Sequence, residues 1–299
     1  MTSYWHVQRI GNTRVCLQGR LCLGPDYLLM VATVLLIVVS SFFFISCAIG
    51  LGARVACGCF AVVTLGFIFC STTMDPGICP KGPPPLGDAP PLEPLEEDVS
   101  YIDENGQEQH VLVKRKWCYG CNNYRPLRAV HCRFCDVCIA RRDHHCPWVG
   151  TCVGERNYRF YFFFLWSSLG LALTVLIGGI QSLVLRVLLL SRDAAYANRS
   201  VFFAALVETH FVEPLLVLVA AGTCFLVAPL AVFHLMLATR NMTTMEEMRG
   251  EVGQVHYYDR GRCLENLKAS LCAPMPLSIL VHPPQRCMPA TEIVVATSS

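Results

Sequence analysis

Four long apolar runs, separated by polar segments, dominate the pattern of hydrophobic and polar residues along the chain. An α-helix rises about 1.5 Å per residue, so about 20 apolar residues are needed to cross the hydrocarbon core of a membrane. Each run therefore predicts one membrane-spanning helix. The predicted spans cover residues 27–49, 55–73, 160 to about 180, and 211–238.

Two of these spans contain residues that interrupt a regular apolar helix. The third run stays apolar as far as Leu190, but Gln181 and Arg186 interrupt it, so we expect its far end to leave the membrane. Pro229 within the fourth run predicts a kink, which neighbouring helices can accommodate. His234, near the end of that run, is interpreted as a packing residue.

The overall composition agrees with a membrane protein. Of 299 residues, 54% are hydrophobic and only 15% are charged, and the mean hydropathy is +0.44, which is too apolar for an ordinary soluble domain. The formal net charge of +2 is too small to indicate a nucleic-acid partner. The lipid bilayer is the partner that the composition predicts.

The distribution of basic residues predicts the orientation, because short cytosolic flanks of membrane spans carry an excess of Lys and Arg. Of the 24 basic residues, Arg54, Arg186, Arg192 and Arg199 fall on one side of the predicted spans, and the other 20 fall on the opposite side. We therefore expect both termini and the segment between spans two and three to face the cytosol. Such a layout fits the endoplasmic reticulum, the Golgi or the plasma membrane.

The segment that follows span two has two parts before its first cysteine pair. Residues 80–98 are rich in Pro and acidic residues, which is typical of an extended spacer. Next come two short β-type runs on either side of Glu104-Asn105-Gly106, and an Asn-Gly pair between such runs predicts a β-hairpin.

Seven cysteines and three histidines lie between Cys118 and Cys152. Pairs of cysteines two residues apart turn two thiolates onto one metal ion, and two such pairs occur at residues 118/121 and 132/135. Spacing leaves open which of the other ligands joins which pair. Two structural zinc ions use eight ligands, so two of these ten groups are left over. Because the run ends in Asp143-His144-His145-Cys146, we expect the two to be one thiol and one imidazole. We expect this cluster to face a reducing compartment.

Two interpretations of the leftover groups remain open on spacing alone. The cluster ends in Asp143-His144-His145-Cys146, so a thiol, an imidazole and a carboxylate are adjacent, which is the set of groups that activates a cysteine nucleophile. The alternative is a pair of purely structural zinc knuckles in a non-catalytic, membrane-anchored adaptor.

The run from Asp143 to Trp148, together with Cys152 and residues 155–158 (Glu-Arg-Asn-Tyr), resembles the DHHC cysteine-rich domain of protein S-acyltransferases, the palmitoyltransferases. The four-span layout with a loop between spans two and three is also similar to that family, although Thr151 stands where Asn often follows Gly150. Further family-like residues flank the spans: Asp75-Pro76-Gly77, Thr243-Thr244-Met245-Glu246 and Asn266.

The resemblance implies an all-α polytopic membrane protein with four transmembrane helices. A small cytosolic two-zinc module of short β-hairpins would lie between spans two and three. Cys146 would be the acyl-thioester nucleophile, His144 its general base, and Asp143 the group that orients His144, with Thr243, Asn266 and Trp148 in supporting roles. The implied zinc ligands are Cys118, Cys121, His131 and Cys138 for zinc one, and Cys132, Cys135, His145 and Cys152 for zinc two.

The resemblance also implies the reaction and its reactants. A long-chain fatty acyl group such as palmitoyl would pass from fatty acyl-CoA to Cys146 and then to cysteine thiols of membrane-associated proteins, with ping-pong kinetics and two structural Zn²⁺ ions. We divide the chain accordingly into 1–26 (cytosolic tail), 27–73 (spans one and two), 74–117 (linker and hairpin), 118–160 (catalytic zinc domain), 161–238 (spans three and four) and 239–299 (cytosolic tail).

The predicted orientation is testable through two Asn-x-Ser/Thr acceptors, Asn198 and Asn241, which the four-span topology puts on opposite sides of the membrane. We expect an endoglycosidase-sensitive mobility shift that Asn198→Gln abolishes and Asn241→Gln leaves unchanged. Sugar on Asn241 would invert the topology and contradict a cytosolic cysteine cluster.

Overall fold

A computed structural model describes residues 8–82, 95–102, 107–193, 200–249 and 257–281. Within these residues, four long helices are apolar enough to span a membrane, so the four predicted spans are confirmed and the chain is a multi-pass membrane protein. The helices are α1 (Tyr27–Cys47), α2 (Leu51–Thr73), α3 (Tyr158–Ser191) and α5 (Val212–Thr239), with the short helix α4 (Val201–Glu208) before the last of them.

Helix α3 is the centre of the bundle, because it packs along both α2 and α5, while α1 packs mainly on α2. Its 34 residues correspond to about 51 Å, which exceeds a hydrocarbon core of about 30 Å. The helix thus continues well past residue 180, where the predicted span ends. Small residues allow the close approach: a Cβ atom at Gly178 would come within 2.9 Å of the Phe44 ring and 3.1 Å of Ala53.

A buried polar cluster ties the helices together at the end of the bundle far from the cysteines. Ser182 on α3 accepts a hydrogen bond from the Ile49 backbone N–H at 2.7 Å and donates one to Glu213 on α5 at 2.6 Å. The Arg186 guanidinium lies 3.6 Å from the carboxylates of Glu208 and Glu213. These partners explain why α3 continues through Arg186, since a charge away from water needs counter-charges.

A three-stranded antiparallel sheet that the sequence did not predict precedes α1. It comprises β1 (Gln8–Ile10), β2 (Thr13–Cys16) and β3 (Leu21–Leu23). In the turn between the first two strands, the Asn12 backbone N–H donates to the Cys135 carbonyl and the Asn12 side chain donates to the Phe134 carbonyl, both at 2.8 Å. The sheet is therefore attached to residues 118–152, which we call the cysteine-rich segment.

The segment between α2 and α3 consists of short antiparallel strand pairs, as the fold prediction required. The hairpin predicted around residues 104–106 is present as the first pair, but its turn, most of the Pro-rich spacer and Asn198 lie outside the described residues. The pairs are β4 (Glu96–Ile102) with β5 (Glu108–Lys114), β6 (Trp117–Cys118) with β7 (Asn123–Tyr124), β8 (Val130–Cys132) with β9 (Val137–Ile139), and β10 (His144–Cys146) with β11 (Thr151–Val153).

After the fourth span, the described residues include the short α-helices α6 (Thr244–Met248) and α7 (Cys263–Leu267). Asn266 is buried, and its side-chain amide donates to the Thr239 carbonyl at 2.9 Å and to the Asp259 carboxylate at 2.7 Å. The segment around α7 is thereby attached to the end of α5.

We predict that Ser182→Ala destabilises the bundle by about 1–3 kcal/mol, because the Ile49 N–H and the Glu213 carboxylate both lose this hydroxyl. The unfolding midpoint of the detergent-solubilised protein measures the effect. Ser191→Ala is the matched control, since that hydroxyl lies exposed on the same helix and donates to the Leu188 carbonyl. Equal shifts in the two variants would contradict a special role for the polar cluster.

Candidate functional site

Four potential metal ligands from the strand pairs β6/β7 and β8/β9 converge on one point, and we call this set cluster one. The Nδ1 atom of His131 lies 3.6 Å, 3.4 Å and 4.0 Å from the three sulfurs of the set. All three thiols are buried, and the four ligand atoms lie within 4.8 Å of one another. The members of cluster one are Cys118, Cys121, His131 and Cys138.

A second set of four ligands, cluster two, forms where β10/β11 pack beside β8/β9. The Nδ1 atom of His145 lies 3.7 Å, 3.4 Å and 3.5 Å from its three sulfurs. Its members, Cys132, Cys135, His145 and Cys152, alternate along the sequence with those of cluster one. These are the two sets that the resemblance implies, and spacing alone could not separate them.

Both clusters fit a tetrahedral zinc ion. Ligands at about 2.0–2.3 Å from zinc lie about 3.3–3.8 Å apart in a tetrahedron. The sulfurs of Cys135 and Cys152 are 3.6 Å apart, and most of the nitrogen-to-sulfur distances fall in the same range. Each cluster supplies three thiols and one imidazole, so protein atoms would fill all four positions of a structural site.

Cys146 belongs to neither cluster, although it follows the ligand His145 directly on β10. Its side chain is buried. His144, two residues before Cys146, has its Nδ1 atom 2.7 Å from the Asp143 carboxylate, and its ring packs edge-on against Tyr161 with centroids 5.0 Å apart. A thiol, an imidazole and a carboxylate thus lie together where the cysteine-rich segment meets α3.

The Asp143 carboxylate is fully buried and is held by α6. It accepts hydrogen bonds from the Thr244 backbone N–H at 2.9 Å and from the Thr244 hydroxyl at 2.7 Å. Burial opposes ionisation, but the hydrogen bonds from His144 and Thr244 outweigh it and hold the pKa of Asp143 below its ordinary value. The carboxylate is therefore charged at neutral pH.

The hydroxyl that meets Asp143 belongs to Thr244, whereas the sequence pointed to Thr243. Thr243 is instead the N-cap of α6, where its side chain accepts from the Glu246 backbone N–H and the Glu246 carboxylate accepts from the Thr243 N–H. This capping box fixes the first turn of α6. It thereby points the N–H and hydroxyl of Thr244 at Asp143. Thr243 thus affects Asp143 indirectly, through its neighbour Thr244.

The electrostatic surroundings of His144 favour its protonated form. Burial by itself disfavours the charge, but hydrogen bonds with Asp143 and Cys146 outweigh it and raise the pKa of His144 to about 9. A charged imidazole next to a thiol stabilises the thiolate, which is the reactive form of cysteine.

His234 on α5, which the sequence analysis interpreted as a packing residue, is buried beside this site. Its ring is almost fully buried, with its centroid 5.7 Å from the His144 ring and 5.1 Å from the Tyr161 ring. Ligand atoms of Asp143, His144 and His234 lie within 4.8 Å of one another. The sequence signal for this location was the position of His234 near the end of the helix that leads into Thr243.

An apolar cavity of about 490 Å³ opens beside Cys146 and extends between α1, α3 and α5. Cys146, Trp148 and Tyr161 line the end near the cysteine-rich segment, and Val175 and Leu216 line the far end. Since Tyr161 and Val175 are both on α3, their separation corresponds to about 21 Å of helix rise. The cavity therefore reaches from the thiol through much of the bundle.

Comparison with known proteins places these features in a family. Residues 112–251, which include both clusters and Cys146, match the family model of the DHHC palmitoyltransferases. Palmitoyltransferase ZDHHC9 of Bos taurus is 30% identical over 299 residues, which cover 90% of this chain and 77% of that protein.

Two longer relatives are similar over most of this chain. Palmitoyltransferase ZDHHC14 of Danio rerio is 30% identical over 94% of the chain, and palmitoyltransferase ZDHHC8 of Homo sapiens is 32% identical over 88% of it. The matched regions span 62% and 33% of those two proteins. On the family model and this similarity, the chain belongs to the DHHC palmitoyltransferase family.

Proposed function

We propose that the protein is an integral-membrane protein S-acyltransferase, which moves a long-chain fatty acyl group from acyl-CoA to cysteine thiols of membrane-associated proteins. One observation carries the proposal: Cys146, a thiol outside both metal clusters, lies beside His144 and lines one end of an apolar cavity. A nucleophile, its base and a site for an alkyl chain are thereby adjacent.

In the first step, the Cys146 thiolate attacks the thioester carbonyl of the acyl-CoA while His144 holds the proton that the thiol has given up. The new carbon–sulfur bond forms as the bond to the CoA sulfur breaks. The departing CoA thiolate then takes the proton from His144. The products are CoA and an acyl-Cys146 thioester.

In the second step, a cysteine of the protein substrate attacks acyl-Cys146, and His144 again accepts the thiol proton. The acyl group moves to the substrate sulfur and Cys146 is released. Because each step exchanges one thioester for another, little free energy is lost and no ATP is required. Release of CoA before the protein substrate reacts predicts ping-pong kinetics.

Asp143 and Thr244 prepare His144 for both steps. The carboxylate accepts the Nδ1–H of His144, which leaves Nε2 to exchange the proton with Cys146 and stabilises the imidazolium that forms. Thr244 donates twice to the same carboxylate and fixes its orientation. We expect the imidazole to lose its correct tautomer without this carboxylate.

We assign clusters one and two to two structural zinc ions, held by the eight residues named above. Each cluster supplies four protein ligands, so the ions would stabilise the fold of the strand pairs. The acid–base and nucleophilic steps then belong to Asp143, His144 and Cys146.

The cavity supports a long acyl chain as the group that is transferred. Its walls are mainly Leu, Val and Ala side chains, and each buried methylene stabilises a bound chain by about 0.8 kcal/mol. A cavity about 21 Å deep has room for many methylenes. A chain too short to reach its far end would forgo part of this energy.

We further propose that the cysteine-rich segment faces the cytosol, in the endoplasmic reticulum, the Golgi or the plasma membrane. The excess of Lys and Arg on that side supports the orientation. A cytosolic thiol at the membrane face would meet both acyl-CoA and cysteines of proteins that lie close to the bilayer.

We predict that Cys146→Ser abolishes labelling by clickable palmitoyl-CoA, whereas the wild-type protein takes up label as a hydroxylamine-sensitive thioester. Zinc content should stay near two per chain, because Cys146 belongs to neither cluster. Labelling is read by in-gel fluorescence with and without hydroxylamine, and zinc by elemental analysis.

Cys263→Ser is the matched control, since Cys263 is an exposed thiol away from the cavity. It should label like the wild type. Normal labelling of Cys146→Ser would show that another residue is the nucleophile. Loss of one zinc from that variant would make Cys146 a ligand and favour the non-catalytic adaptor.

We predict that His144→Ala lowers the rate of acyl-Cys146 formation about 10²–10⁴-fold, because the general base is lost. Thr244→Val should cause a smaller reduction, since it removes the hydroxyl that orients Asp143 but retains the backbone N–H and the side-chain shape. Single-turnover labelling with palmitoyl-CoA measures both rates.

Thr239→Val is the control for Thr244→Val, because the Thr239 hydroxyl is exposed and donates to the Met236 carbonyl within its own helix. Its labelling rate should equal that of the wild type. If Thr244→Val also labels at the wild-type rate, the contact between Thr244 and Asp143 has no part in the chemistry.

A further inference from the structure

A carboxylate outside the cysteine-rich segment contacts one of the metal-ligand histidines. The Nδ1 atom of His145 faces the three sulfurs of cluster two, and its Nε2 atom lies 2.8 Å from the Asp26 carboxylate. The His145 side chain is only 3% exposed, whereas that of Asp26 is 40% exposed. The two ring nitrogens thus have different partners, sulfurs on one side and a carboxylate on the other.

Asp26 is held in place by the first membrane helix. It directly precedes α1, and its backbone carbonyl accepts from the Leu29 and Met30 N–H groups of the first turn. Its carboxylate makes no capping bond to α1 and is free to contact His145. The start of span one is therefore joined to cluster two by a single side chain.

The sheet β1–β3 supports the same arrangement. Asn12 binds the carbonyls of Phe134 and Cys135, the second of which is a member of cluster two. The Phe134 ring stacks on the His145 ring, with centroids 4.9 Å apart and planes 27° apart. Gly24 lies against the Gly150 carbonyl so closely that a side chain would not fit.

Cluster one has a weaker counterpart of this contact. The Nε2 atom of His131 lies 3.8 Å from the Asp136 carboxylate, which is 48% exposed. That carboxylate also forms an ion pair with Lys81 at 2.8 Å. The two clusters have the same ligand types but differ in the groups around their histidines.

We propose that Asp26 is a positioning residue for His145, which accepts the Nε2–H, fixes the tautomer that presents Nδ1 to the metal and slows the loss of zinc from cluster two. A carboxylate in this position orients a ligand histidine and raises its basicity. Asp26 has this role only if cluster two binds zinc, as proposed above. Since His144 and Cys146 flank His145 on β10, the contact also links span one to the reacting residues.

The test is zinc release from the purified full-length protein on addition of a chromogenic chelator. We expect Asp26→Ala to lower the zinc affinity of one of the two sites about 10–100-fold and to leave the other unchanged. The zinc affinity of Asp26→Asn should lie between those of Asp26→Ala and the wild type. Its amide oxygen still accepts a hydrogen bond but lacks the charge. Unfolding midpoints are measured alongside.

Asp136→Asn is the matched control, because Asn tolerates the positive φ of 50° at that position and the contact to His131 is longer and more exposed. It should release zinc at nearly the wild-type rate. If Asp26→Ala releases zinc at the wild-type rate, the proposed role of Asp26 is wrong. It is also wrong if this variant loses both zinc ions and has a lowered unfolding midpoint. A content of fewer than two zinc ions per wild-type chain would instead contradict the assignment of both clusters to zinc.

Discussion

The alternation of two four-ligand clusters along residues 118–152 constrains the rest of the cysteine-rich segment. Its strand pairs are only two or three residues long, which is too short to be stable without further contacts. His131 and Cys132 are neighbours on one strand yet belong to different clusters. Neither cluster can move without the other, so the position of Cys146 next to His145 is fixed by both.

Polar contacts join this segment to the helices, in addition to the packing of Val149 and Val153 in the apolar core formed by helix residues such as Tyr161. Asp143 is the most demanding, since a buried carboxylate needs several donors, and Thr244 and His144 supply them. Nearby, Arg128 forms two hydrogen bonds of 2.7 Å with Glu246 on α6. Helix α6, which follows the fourth span, therefore orients the residues that we assign to the chemistry.

The sequence predicted the features that depend on long runs or fixed spacing, namely the four spans, the hairpin before the cysteines and the ligand types. It did not predict the sheet β1–β3, because its strands of three or four residues are too short to show a period. Nor could it separate Thr243 from Thr244, or identify His234, because those differences arise from how α5 and α6 pack on the cysteine-rich segment. A buried histidine in a span has the same sequence pattern whether it packs or faces a reacting group.

The cavity sets a condition on how the bundle binds an acyl chain. The cavity between α1, α3 and α5 is partly open rather than sealed, so inside a membrane the chains of neighbouring lipids have access to it. An incoming acyl chain replaces one apolar chain with another, so its net gain is well below the full transfer energy. The gain of about 0.8 kcal/mol per methylene refers to transfer from water, and contacts at the thioester end, where Cys146 and its neighbours act, add to the binding of a chain that comes from the membrane.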